Sequence, residues 1–360
     1  MALLTYTRDM SLRVGRKLRP AVPLVDQAVC SASNIGLLLL MAQALDLTGF
    51  GIFSIYWGAN AVCLSLTRST LGVPMNIDHH RLSFREFELE AKHATAIALS
   101  FGSLIGLVLA GSAIAIDALE LRYAILALAP GVMFSMVQDL WRYAFTAENR
   151  ASVALVGDVV WLAPIILFLI VGVLHPLREL PNAPLWVAAT WSGGALLSLI
   201  ALSWTGKGFA PRFSTAIIKV LGERRRLELA GDGLLASVVP MITGVTIATL
   251  SAPAILGAVR GATTVMSPAS VLIASFPLVV LSQASKRGIP QGSRFVMKVL
   301  TLFVVFACSW GLFSLMWPSQ LGSALLGETW QAARGIIPVA IIEVAGLAVW
   351  NGAISIYRVG

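Results

Sequence analysis

Ten stretches of about 20 or more mostly apolar residues follow one another from Val22 to Tyr357, separated by short polar segments. A hydrocarbon core of about 30 Å takes about 20 helical residues to cross, so each stretch predicts a transmembrane helix. Lipid offers backbone groups no partners, so the spans must be helices rather than open sheet. The predicted spans are approximately 22–45, 49–72, 92–116, 121–144, 151–174, 183–205, 230–252, 255–282, 297–317 and 333–357. The fold class is all-α: a polytopic membrane protein.

Threading the spans alternately sorts the Lys and Arg residues into two sets. One holds 21, from Arg8 through Lys92, Arg142, Arg150 and the cluster Arg224-Arg225-Arg226 to Arg358. The other holds only Arg122, Arg178 and Arg334. Basic residues collect in cytoplasmic loops, so the first set and both termini are expected in the cytoplasm of a bacterial-type cell, across its inner membrane. Composition agrees: hydrophobic residues make up 57% and charged residues 12%, against about 25% charged in soluble domains. A mean hydropathy of +0.83 excludes a sizeable aqueous domain. The net charge of +8 suits anionic headgroups, so membrane lipids are expected partners and nucleic acid is not. Cys30, Cys63 and Cys308 all fall within spans, so no disulfide framework or metal cluster is indicated. Gly36 to Ala44 followed by Leu45 has the outline of a signal-peptide core, but Asp26, a long polar lead-in and nine further spans argue against it.

The longest internal connection, 206–229, divides the chain. It separates a first lobe of six helices (22–205), preceded by a basic segment 1–21, from a second lobe of four helices (230–360). An offset of 206 residues carries Asp26 to Asp232, Gly51 to Gly257 and Lys92 to Lys298. Two parallel halves are a known transporter plan, with the substrate path between them. On this register the second lobe is expected to be two helices short. Either the protein is a naturally shortened form or a further pair of helices is missing from this chain.

Several segments resemble a known family. Leu24-Val25-Asp26-Gln27 with Ser33-Asn34 and Thr48-Gly49-Phe50-Gly51 is similar to the first hairpin of bacterial polysaccharide-biosynthesis flippases. Those proteins belong to the multidrug/oligosaccharidyl-lipid/polysaccharide exporter superfamily. Gln138-Asp139-Leu140-Trp141-Arg142-Tyr143 with Asp158-Val159-Val160-Trp161 resembles their fourth and fifth helices, and Gly257 to Ala262 with Ser267-Pro268 their eighth. The resemblance covers essentially all of 20–358 in loose helix-packing patterns. It implies two lobes that rock about a central substrate path, and a lipid-linked sugar as substrate; the family generally has twelve to fourteen helices.

Ionisable groups within spans are costly and are therefore candidate functional groups. At about 1.5 Å per residue, Asp26, Arg68, Asp139, Asp158 and Asp232 lie within about 10 Å of the cytoplasmic ends of their helices, with Arg142 at the edge and one turn from Asp139. Asp26, Asp139 and Asp158 are candidates for gating or ion coupling, as a charged mouth that pairs up when the cavity closes on that side; ordinary interfacial pairing and snorkelling is the plainer alternative. Glu343 lies near the midplane, where burial disfavours a charged carboxylate, and is a candidate proton carrier or a helix-packing hydrogen-bond donor. Arg260, below the outer surface, is the leading candidate for binding the pyrophosphate of a lipid-linked sugar, or alternatively for pairing with Glu343; Arg142 and Arg68 are further substrate-binding candidates. Asp78-His79-His80 has metal-ligand residue types but reads as a solvated loop. Pro130, Pro164, Pro240, Pro268, Pro277 and Pro338 favour kinks within spans.

No phosphate-binding Gly-x-x-x-x-Gly-Lys-[Ser/Thr] sequence is present, and no cofactor is called for. The leading reading is a carrier of lipid-linked oligosaccharide or another polysaccharide precursor by alternating access. Its alternatives are an ion-coupled drug exporter of the same superfamily, a membrane-embedded polysaccharide polymerase or ligase, or an inactive remnant. An enzyme is disfavoured because the longest outer loop, 318–332, carries a single ionisable side chain, Glu328. The charge bias yields a topology prediction. A reporter fused after Gly360 should work only as a cytoplasmic reporter, and periplasmic activity there would reverse the orientation.

Overall fold

The computed structural model describes residues 22–214, 224–285 and 289–359. Segment 1–21, Lys219 and Lys286-Arg287 lie outside the described residues, as do the side chains of Arg225, Asp232 and Arg358. Ten helices long and apolar enough to cross a membrane are present among the described residues. In chain order they are α1 Val22–Ala44, α2 Leu47–Asp78, α3 Phe84–Ala113, α4 Leu119–Ala147, α5 Ala151–Leu174, α6 Ala183–Gly206, α7 Arg224–Leu250, α8 Pro253–Ser285, α9 Ile289–Leu315 and α10 Thr329–Val359. A short helix, Ser319–Leu326, precedes α10.

Each expected span is found, and most run longer than the apolar stretch that predicted them. The reason is local chemistry at the ends. Asp46 caps α2 by accepting from the Gly49 amide at 2.8 Å. Ser83 and Glu86 form a reciprocal capping box that starts α3 at Phe84, eight residues before the predicted start. α2 is not uniform: it is α-helical over Leu47–Thr67, widens to a π turn at Arg68–Gly72 and resumes over Val73–Asp78.

α4 and α6 pack together at the centre of the first six helices, with α3 against α4, α5 against α6 and α1 against α5. α8, α9 and α10 form a second group. α2 bridges the two, because it packs on α8 and α7 more extensively than on α4. The large core is lined by Phe50, Phe53, Trp191 and Trp330. A second core at the basic end holds Phe87, Trp141, Phe145 and Phe209. The expected linker 206–229 is partly structured. Its first residues fold back under the first six helices, where the Arg212 amide donates to the Lys92 carbonyl at 3.1 Å. Phe209 sits there among Phe87, Trp141 and Phe145. The Asp78-His79-His80 segment is not an open loop either: His79 packs edge-on against Phe87 and Asp78 lies 3.8 Å from Arg81. No metal-binding cluster occurs among the described residues.

The tightest backbone approach between the groups is at the glycines that share the 206-residue offset. A Cβ on Gly51 would lie 1.8 Å from the Pro253 carbonyl oxygen, and one on Gly257 would lie 2.2 Å from the Leu47 carbonyl oxygen. The two backbones touch, each glycine admitting the opposite helix. Away from this contact, α5 turns Val159, Ile166, Leu167, Ile170, Val173 and Leu174 outward, a helical-period stripe suited to lipid tails.

The clash atoms at the α2–α8 crossing are backbone, so no side chain can move aside. Gly51→Ala and Gly257→Ala should each lower stability by about 1–3 kcal/mol, as overpacking does. Thermal unfolding of the detergent-solubilised protein would measure this, with Gly193→Ala as the control because open space surrounds that position. Equal midpoints for Gly51→Ala and Gly193→Ala would refute the crossing.

Candidate functional site

Helices α1, α2, α4 and α5 bring five of the predicted acids and bases into one buried network near the basic end. Arg142, at 6% exposure, lies at its centre. Its Nη2 donates to Asp26 Oδ2 at 3.0 Å and its Nη1 to Asp139 Oδ1 at 2.9 Å. Its Nε lies 3.0 Å from Asp158 Oδ2. Arg68 reaches Asp139 from the π turn of α2 as a bidentate fork, Nε to Oδ2 at 2.7 Å and Nη2 to Oδ1 at 2.9 Å. Asp139 Oδ1 therefore serves both guanidiniums. Neutral groups complete the shell: Gln138 Nε2 donates to Asp158 Oδ1 at 2.6 Å, Gln27 Oε1 accepts from Arg142 Nη2 at 3.2 Å, and Cys30 Sγ lies 3.2 Å from Arg142 Nη1.

The charge count does not close. Three carboxylates face two guanidiniums, leaving one surplus negative charge away from water. Asp26 Oδ1 is buried without a hydrogen-bond partner, and the Asp26 and Asp158 carboxyls lie within hydrogen-bonding reach of each other. Two carboxyls can bond in this way only when one carries a proton; a bound cation would serve the same balance.

Every member of the network comes from the first six helices, and Asp26, Asp139 and Asp158 are already paired there. Arg142 is buried among three carboxylates. Arg68 is tied to Asp139 but keeps its side chain 33% exposed. Gln27, Cys30 and Gln138 are members that the sequence reading does not single out, although the adjacent pairs Asp26-Gln27 and Gln138-Asp139 carry the signal. An amide beside a buried carboxylate supplies the hydrogen bonds such a group needs.

The other two candidates lie in the second group. Arg260, on α8, lines a cavity of about 280 Å³ between α2, α7 and α8, together with Ser54, Gly58, Ser237, Pro240 and Met241. It makes no ion pair among the described residues, and its Nε is buried without a hydrogen-bond partner. Glu343, at the middle of α10, is exposed and lies close enough to act on Arg260 through space. Polar contacts also tie the helices together at both ends of the bundle. At the basic end, Arg226 of α7 pairs with Glu90 of α3 and donates to the Thr70 carbonyl at 3.2 Å, while Ser65 Oγ donates to the Gly233 carbonyl at 3.0 Å. At the opposite end, Gln43 Nε2 donates to the carbonyls of Ala324 and Leu325 at 2.9 and 3.1 Å, and Arg178 pairs with Glu328.

A cavity between two helical groups, with a charge-surplus network inside one of them, sits on a fold shared with solved transporters. An inward-facing conformation of a multidrug resistance MATE family transporter of the MOP superfamily matches with a TM-score of 0.61. It is 13% identical, over 94% of this chain and 88% of that one. The fold is MATE-like. A MATE in complex with MaL6 gives 0.58 at 15% identity over 95% and 85% of the two chains. An outward-facing conformation of a multidrug resistance MATE family transporter gives 0.52 at 15% identity over 94% and 85%. No protein-family model and no curated protein sequence matches the chain. Within this MATE-like fold, α2 is the helix at which the two groups meet.

The network gives a prediction of opposite outcomes at neighbouring positions. Arg142→Gln leaves three carboxylates with one guanidinium and should cost about 3–5 kcal/mol, the penalty for orphaning buried charge. Asp158→Asn balances the count at two against two and should leave the protein folded. Monodisperse yield and thermal midpoint in detergent are the readouts; an Arg142→Gln protein as stable as the parent would mean the network is not what holds α1, α4 and α5 together.

Proposed function

We propose that this chain is a carrier that moves an amphipathic solute across the membrane by alternating access, coupled to the binding of a small cation in the first six helices. The observation that carries the reading is the surplus carboxylate. A net negative charge kept inside a bilayer needs a cation to neutralise it, and a group whose charge count changes on binding is what ion coupling requires. Asp26 and Asp158, both gathered on Arg142 and with Asp26 Oδ1 buried without a hydrogen-bond partner, are assigned as the cation-binding pair. Asp139 and Arg142 hold that pair in place. Both termini are assigned to the cytoplasm, so that the network lies in the cytoplasmic half of the cytoplasmic membrane.

The substrate we assign is a lipid-linked oligosaccharide or a similar polysaccharide precursor. Arg260 supports this. It is a permanent cation with an unpartnered Nε on the wall of an otherwise largely apolar cavity, and a guanidinium fork matches phosphate oxygens. A drug exporter of the same fold is the second reading, favoured by the multidrug resistance transporters the fold resembles. A cationic drug would meet like charge at Arg260, which makes it the weaker fit to this cavity. Glu343, which faces Arg260 electrostatically, is assigned to balancing that charge when no substrate is bound.

Proteoliposomes loaded with a labelled pyrophosphate-linked lipid sugar test both parts. Arg260→Ala should slow translocation at least about tenfold, and Arg260→Lys by less, since an ammonium offers a point charge in place of a fork. Asp158→Asn should translocate without responding to an imposed proton or sodium gradient. Parent-like translocation by Arg260→Ala would remove that residue from the substrate path. Transport of a cationic dye but not the lipid sugar would establish the drug-exporter reading instead.

A further inference from the structure

The π turn in α2 touches both the buried network and α7. The turn begins at Arg68, whose planar fork fixes its orientation against Asp139. Two residues on, the Thr70 carbonyl accepts from Arg226 of α7. Between them lies Ser69, tight against α7: a Cβ on Gly233 would sit 2.0 Å from Ser69 Oγ. Ser65, one turn earlier, donates to the Gly233 carbonyl. Gly72, which ends the turn, lies flat under the ring of Tyr143, the residue after Arg142; a Cβ there would be 2.8 Å from that ring. One short segment is thus gripped by the network and α4 on one side and by α7 on the other.

We propose that the π turn Arg68–Gly72 transmits the charge state of the Asp26–Asp139–Arg142–Asp158 network to the docking of α7 on the first six helices. The relay is a single atom. Asp139 Oδ1 accepts from both Arg142 Nη1 and Arg68 Nη2, each at 2.9 Å. When Asp26 or Asp158 gains or loses a cation, Arg142 redistributes its bonds among three carboxylates, and its hold on Asp139 Oδ1 changes. Arg68 shares that oxygen, so the π turn shifts with it. A π turn holds one more residue per turn than an α-helix and can pass that residue along the chain, so a local shift there need not disrupt the rest of α2. Such a shift moves the Thr70 carbonyl away from Arg226 and Ser69 away from Gly233, which loosens α7 at the basic end. Glu90 of α3 is the fixed end of this clamp, because it pairs with Arg226 from outside the π turn.

The purpose of this device rests on the ion-coupled carrier reading, but its geometry does not, and the test needs no transport. Cys63 and Cys308 are replaced by serine, Cys30 is kept because it is buried within the network, and Ser69→Cys is introduced as a reporter that packs against α7. Its labelling rate by a maleimide is then measured in detergent. Arg226→Ala, which removes the clamp directly, should raise the rate roughly tenfold, as expected for opening of a docked element. Asp139→Asn should raise it by a similar factor, although Asp139 is bonded to Arg68 and Arg142 rather than to α7. Ser192→Cys, buried between α4 and α6, is the control reporter and should stay protected in both variants. If Asp139→Asn does not yield folded protein, Arg68→Lys reads the same link by removing the fork while keeping the charge. The proposal fails if Asp139→Asn or its substitute leaves the Ser69→Cys thiol as protected as in the parent. It fails equally if Arg226→Ala has no effect, or if Ser192→Cys is exposed as much as Ser69→Cys. An inactive carrier that still passes these tests would sink the transport reading and leave the π-turn link standing.

Discussion

A guanidinium buried in the membrane half of a helical bundle is the constraint around which the first six helices are arranged. Arg142 cannot lose its charge, and at its depth it has no water to meet it, so protein oxygens must supply every partner. It draws Asp26 from α1, Asp139 from its own helix and Asp158 from α5. Through Asp139 it also draws Arg68 from α2. Four helices are thereby fixed in rotation as well as in depth, which apolar packing against lipid does poorly because tails and side chains are equally apolar. The aromatic core around Trp141, Phe145 and Phe209 then closes the basic end beneath the network.

The same helices must still move if the fold is to work as a carrier, and α2 is where rigidity and mobility meet. At one end its Gly51 lies against Gly257 with no room for a Cβ, a backbone contact that can pivot but cannot slide far. At the other end its π turn is held by polar bonds to α7 and to the network. Polar bonds of this kind can be exchanged one for another at little net cost, whereas an apolar interface of the same area would have to be re-formed whole. A pivot at one end and an exchangeable clamp at the other is the mechanical minimum for two groups of helices that rock about a common cavity.

How much of this was legible in the sequence depends on which coordinate is asked for. Depth was legible: length and the 1.5 Å rise per residue put Asp26, Asp139 and Asp158 at one level, and the network is there. Gly51 and Gly257, which share the 206-residue offset, are found against each other's helices. Rotation about each helix axis was not legible. A helix that is apolar on all sides gives no preferred face, so nothing showed that Arg142 would be enclosed by three acids while Arg260 would line a cavity. That gap is why depth alone places Arg142 among the substrate-binding candidates. The early start of α3 is hidden for a different reason: Ser83 and Glu86 form a capping box that lies outside the apolar run, and hydropathy does not see caps.

The two places where charge enters the membrane are solved in opposite ways, and the contrast points to their separate roles. In the first six helices, five charged groups share bonds so closely that only a change of one unit, a proton or a small cation, can be accommodated without rebuilding the site. At Arg260 the charge is left with a buried, unpartnered Nε and a distant carboxylate, next to a cavity of about 280 Å³. A site that must discriminate between the presence and absence of one small ion gains from being crowded, with a single charge left over. A site that must accept and release a large amphiphile gains from an unspent hydrogen-bond donor, because a fully satisfied guanidinium would have nothing to offer an incoming phosphate. On the proposed reading, placing the two on different helices, with α2 packed against both, would let the small ligand act on the large one only through movement of the helices.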